Sequence, residues 1–127
     1  MKIIIETIPH KDHRYPTVGD WYFAPEDGSL QIKVSELSDR RYELLIALHE
    51  LVEVILCQHD GVTAAAVDDF DKKFEAERKP DNEDEPGDEP LAPYVDQHCF
   101  ATGIERLLAA RLDVKWKDYE QELTDLP

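Results

Sequence analysis

Along this chain apolar residues recur first at every second position and later at every third or fourth. Residues 2–8, KIIIETI, are rich in β-branched side chains and read as a strand. Pro9, which lacks a ladder donor, ends it. Trp21-Tyr22-Phe23 predicts a second strand, and Pro25-Glu26-Asp27-Gly28 supplies a turn. Leu30, Ile32 and Val34 then alternate with Gln31 and Lys33, the period of a half-buried third strand. The first third is therefore expected to be an N-terminal antiparallel hairpin or small antiparallel sheet. Alone it would be marginal, so it needs a helix packed on it.

The period changes at Ser38. The stretch SDRRYELLIALHELVEVILCQHD, residues 38–60, predicts one long helix with Ser38 as N-cap, Asp39 in the first turn and Gly61 as its stop. Leu44, Leu48, Leu51 and Ile55 line one side, and Leu45, Val52 and Leu56 widen the apolar surface beyond a stripe, as in a helix surrounded by other elements. A second helix starts at Thr63, with Val62 and Val67 placed as a hydrophobic staple, and fades by Lys79-Pro80. Residues 80–92 form an acidic loop or disordered insert. Pro93 opens a third helix that runs to about Arg111, with Phe100, Ile104, Leu107 and Leu108 on its apolar side. Asp113 stands as the cap of a last short helix holding Trp116, Tyr119 and Leu123. The fold class expected is α+β: one domain over 1–127, its small sheet packed on three main helices plus a short C-terminal helix.

Charge narrows the partners. The 127 residues include 14 basic and 29 acidic ones, for a net charge of -15. Such a surface repels nucleic acid and anionic membrane and suits cations or a basic protein partner. Asp81, Glu83, Asp84, Glu85, Asp88 and Glu89 concentrate that acidity in one loop, the natural contact for such a partner. Cys57 and Cys99 both sit in apolar helical patterns and read as small buried thiols rather than a disulfide. The N-terminus lacks the apolar run of a signal peptide, so the expected location is cytoplasmic.

Chemistry concentrates inside the long helix. His49 and Glu53 are one turn apart and share a face, a spacing at which two side chains can grip one metal ion, while Glu50 is displaced by about 100°. Apolar surroundings strengthen the case, because a buried charge must be paired or bound to metal. On the third helix His98 and Glu105 are two turns apart. Facing the first pair across a helix contact, they complete a mixed His/carboxylate site for a divalent metal, of which zinc is the leading candidate. The alternative is a buried hydrogen-bond network that fixes helix register.

LLIALHELVE resembles the active-site helix of zincin metallopeptidases, whose motif is HExxH. That resemblance implies a metal-dependent hydrolase with His49 as ligand, Glu50 as general base and Glu53 in the place of the second histidine. His59 falls at the spacing of the third histidine in the long metzincin form, although Leu56 stands where that form has its turning glycine. A rival resemblance is to the nucleotide pyrophosphohydrolases of the MazG and all-α dUTPase kind, which hold magnesium on an ExxE pair and an ExxD pair. Here Glu50-x-x-Glu53 is followed by Asp68-x-x-Asp71. In general style, with its IALHELVE helix and its GDEPLAPY and QHCFATGIERLLA segments, the chain also resembles small bacteriophage and prophage proteins. That likeness implies a non-catalytic acidic accessory protein.

Overall fold

The computed structural model describes residues 1–127. Three strands, β1 (Ile3–Ile8), β2 (Gly19–Phe23) and β3 (Leu30–Ser35), precede four helices: α1 (Arg40–Asp60), α2 (Ala64–Ala76), α3 (Val95–Arg111) and α4 (Trp116–Thr124). The α+β class and the expected order of elements hold. The sheet, however, is mixed, in the order β1-β3-β2. β2 and β3 form the antiparallel hairpin, with Trp21 opposite Ile32, and Gly28 takes the positive φ that its turn requires. β1 pairs with β3 in parallel, from Ile3 opposite Leu30 to Ile8 opposite Ser35. β3 is thus inserted between β1 and β2. Period-2 alternation specifies which face a strand buries and not the direction of its neighbour, so the pattern could not distinguish the two pairings.

Residues 9–18 carry the chain past the end of β3. There His10 Nδ1 and His13 Nε2 lie 2.8 and 2.9 Å from the hydroxyl of buried Ser35. These histidines fasten the crossing loop to the sheet.

Helix boundaries follow most of the local signals, but α3 begins at Val95, two residues past Pro93, and two cap assignments change. Asp39, rather than Ser38, caps α1 by accepting the Arg41 amide, while Ser38 bonds Glu122 instead. Asp113 is no cap: it adopts a left-handed φ of 57° after α3, a conformation aspartate tolerates better than most side chains. Gly61 and Thr63 act as read, closing α1 and opening α2.

The core joins Trp21, Leu30, Ile32 and Val34 from the sheet to Leu45, Ile46, Val54 and Cys57 of α1, with Val67, Tyr94, Ala109, Val114 and Tyr119 around them. Cys57 is buried as expected. Cys99 is exposed, because it lies on the outer side of α3. No helix is long and apolar enough to cross a membrane. Into this apolar core the fold brings an unusual set of buried polar residues: Asp20, His49, Glu50, Glu53, Asp71, His98 and Glu105.

Candidate metal centre

α1 and α3 lie antiparallel, His49 opposite Glu105 and Glu53 opposite His98. Helical spacing puts each pair on the side facing the other helix. Three atoms converge. His49 Nε2 is 3.2 Å from Glu53 Oε2 and 3.2 Å from His98 Nδ1, and His98 Nδ1 is 3.0 Å from the same Glu53 oxygen. The three residues are only 8%, 4% and 5% exposed, so water does little to offset their charge.

Two of the converging groups, His49 and Glu53, are held from behind by hydrogen bonds. His49 Nδ1 is 2.7 Å from Glu105 Oε1, and Tyr119 donates its hydroxyl to Glu105 Oε2 at 2.6 Å. Trp21 donates its indole N–H to Glu53 Oε1 at 3.0 Å. The far nitrogen of His98, Nε2, is buried and makes no well-directed hydrogen bond, although Glu85 Oε2 and Asp88 Oδ1 lie 3.0 and 3.2 Å away. Both acids belong to the 80–92 loop. A short 3₁₀ turn, Pro86–Asp88, seats Gly87 directly on the His98 ring, where any side chain would overlap it. Arg78 anchors the loop by donating to the carbonyls of Asn82 and Asp84.

This arrangement fits a cation. With His49 Nδ1–H given to Glu105, Nε2 points its lone pair into the cluster. Two imidazole nitrogens 3.2 Å apart repel unless a proton or another cation stands between them. Metal bonds of about 2.0–2.1 Å at a tetrahedral angle separate neighbouring ligand atoms by roughly 3.3 Å, close to the three separations observed. Carboxylates on the outer nitrogens are also what ligating histidines use to fix their tautomer. Without metal, protons must do the same work. Burial opposes charge on His98, yet Glu53 and Glu85 raise its pKa to about 10. Burial likewise opposes charge on His49, and Glu105 and Glu53 nonetheless raise it well above the ordinary value. Burial would push Glu53 up, but the two histidines hold it at about 2.

The cluster of His49, Glu53 and His98 can therefore coordinate a divalent metal ion. No family model, curated protein or solved structure matches the chain. What the centre can do is read from its own residues.

Of the residues singled out by sequence, His49, Glu53, His98 and Glu105 come together, the first three as potential ligands and Glu105 behind His49. His59 does not join them. It is exposed near the end of α1, which continues straight through the position where the metzincin form would turn. Glu50 lies beside the triad, lining a cavity of about 20 Å³ with Tyr15, Gly19, Asp20, Trp21, Glu53, Val67 and Asp71. Burial first, and then the charge of Glu53, raise its pKa well above the ordinary range. Of the second acidic pair, Asp71 reaches this cavity, whereas Asp68 is taken by Arg14 at 3.0 Å. In the acidic loop Glu85 and Asp88 turn toward His98, while Asp81, Glu83 and Asp84 stay on the surface and Glu89 is half-buried.

Sequence reasoning missed the supporting residues. Trp21 and Tyr119 read as core aromatics, and they are. Their polar tips needed buried acceptors, and Glu53 and Glu105 were the available ones. Gly87 carried no signal beyond its place in a loop.

Proposed function

We propose that this protein is a metal-dependent hydrolase whose divalent ion, zinc by preference, is held by His49 Nε2, Glu53 Oε2 and His98 Nδ1. The observation that carries this reading is the convergence of those three atoms within 3.2 Å of one another, with Glu105 behind His49 and Trp21 behind Glu53. Two imidazoles and one carboxylate are the donor set of several hydrolytic zinc sites and leave a position open. A bound ion would supply a Lewis acid and lower the pKa of its water toward neutrality. The chain's own residues supply the rest. Glu105 and Tyr119 orient His49, Trp21 orients Glu53, and the 80–92 loop covers His98. Glu50, in the adjoining cavity, would serve as general base once a cation bound beside it drew off the proton that burial favours.

Metal analysis of purified, tag-free protein tests this. One equivalent of zinc per chain is expected after metal-supplemented expression, with loss of about tenfold or more in affinity for His98→Ala and for His49→Ala. Metal content below about 0.1 equivalent, with no binding on titration, would end the proposal. Hydrolytic activity is then sought with the loaded protein on panels of peptide, ester and phosphoester substrates. Activity abolished by Glu50→Gln with zinc retained is the expected signature.

A further inference from the structure

On the side of α1 away from the sheet, Leu44, Leu48, Leu51 and Ile55 share one face, because they follow one another at three- and four-residue steps. Phe100, Ile104 and Leu107 do the same on α3. The inner sides of the two helices are set by His49 opposite Glu105 and Glu53 opposite His98. With the helices antiparallel, both rows then fall on one surface, opposite β2 and β3. Nothing in the chain covers it: Leu44 is 55% exposed, Ile55 56%, Phe100 57% and Leu107 67%. No acid stands in either row, although the chain carries a net charge of -15.

This surface is self-complementary. Leu44 and Ile55 lie equally far from the middle of the α1 row, between His49 and Glu50, and so do Leu48 and Leu51. Phe100 and Leu107 lie equally far from a point between Gly103 and Ile104, and so do two exposed charges of opposite sign, Asp96 and Arg111. Because His49 faces Glu105, the two midpoints are level with each other. A single two-fold axis running across both helices therefore lays Leu44 on Ile55 of a second copy, Phe100 on its Leu107 and Arg111 on its Asp96. Each contact occurs twice, as an isologous interface demands. The face measures about 25 Å along the helices and about 20 Å across them. That is room for the roughly 800 Å² of accessible surface each partner gives to a stable complex. A basic partner would find no acid in these rows, and an anionic surface is repelled by the rest of the molecule.

We propose that the outer face of α1 and α3 is a homodimer interface, with each helix antiparallel to its counterpart in the second copy. The same two helices carry His49, Glu53 and His98 on their inner sides, so the second copy clamps the helix pair from outside. The interface does not depend on a metal being bound.

Sedimentation equilibrium of full-length, tag-free protein tests this. The wild type should reach twice the chain mass within a range of about 1 to 200 μM, the affinities expected of an interface of this size. Leu44→Glu and Phe100→Glu should each weaken the dimer by about 100-fold or more, since each change enters the interface twice. Both side chains are exposed in the single chain, so circular dichroism should show the fold retained. Arg111→Glu should weaken the dimer by about tenfold, because it sets like charges together, and adding Asp96→Arg should restore it. A wild type that stays monomeric throughout, or a dimer that both Glu variants leave intact, would overturn the interface. A monomer that co-sediments with neutral phosphatidylcholine vesicles would assign the face to a lipid surface instead. A double charge swap that fails to rescue would overturn the antiparallel arrangement.

Discussion

Glu105 touches no ion in the proposed centre, yet it sets the tautomer of His49 and is itself fixed by Tyr119. Replacing it with glutamine keeps the shape and removes the charge. Zinc affinity of Glu105→Gln should fall about 10- to 100-fold, the usual cost of losing such an outer partner. Tyr119→Phe should fall in the same direction by less, because Glu105 stays ionised. Competition with a chromophoric chelator measures both, and unchanged affinity in Glu105→Gln would show that the carboxylate is merely structural. This scale was the most legible in sequence. A histidine and a glutamate one turn apart on a buried helix, and another pair two turns apart on a second helix, marked the candidate ligands, while their meeting across the α1–α3 contact was visible only in the structure. His59 was misplaced because its spacing fits a chain that turns, and α1 has no residue that turns it.

Among the elements, the 80–92 loop departs furthest from its sequence. Composition gave it only charge, since it offers neither apolar period nor cap, and composition cannot say toward what a loop folds. In the structure it straps His98 through Gly87, Glu85 and Asp88. Gly87→Ala should therefore cost about 1–3 kcal/mol, as overpacking against a fixed ring does, and should weaken metal binding as well. Gly103, inside α3, is a matched control. A Cβ there meets nothing within 4 Å. Gly103→Ala should thus stabilise by up to about 1 kcal/mol through helix propensity alone. Urea melts of the two variants decide the point, and equal effects would refute the packing of the strap. The mixed sheet was hidden for a different reason: strand polarity follows from connections, and residues 9–18 gave no sign that they bypass β3.

For the molecule as a whole, the buried charges predict an unusual stability profile. In the metal-free protein His98 is raised to about 10, so its contribution is complete below the unfolded value of about 6.5 and is lost as pH climbs to 10. Asp71, raised to about 7 by burial, contributes most below about 3.9 and is lost by neutrality. Glu53, lowered to about 2, works the other way: its contribution is complete above about 4.3 and is lost as pH falls toward 2. Metal-free protein should consequently melt highest near pH 4–5 and decline steadily toward pH 10. Zinc replaces the bound protons, so the loaded form should instead gain stability from pH 5 to 7. Calorimetry across that range, with and without metal, checks both limbs, and parallel profiles would contradict the cluster.

The insertion of β3 between its neighbours also has a consequence in time. The central strand comes last in sequence, so β1 has no partner until β3 is in place, whereas β2 meets β3 through a short turn. Local closure precedes distant pairing because it costs less chain entropy. Ile5→Ala in β1 should therefore speed unfolding and leave refolding nearly unchanged, whereas Ile32→Val in β3 should slow refolding; stopped-flow rates separate the two. Every proposed ion ligand lies outside β1. On that order of events the centre would take shape before β1 joins the sheet.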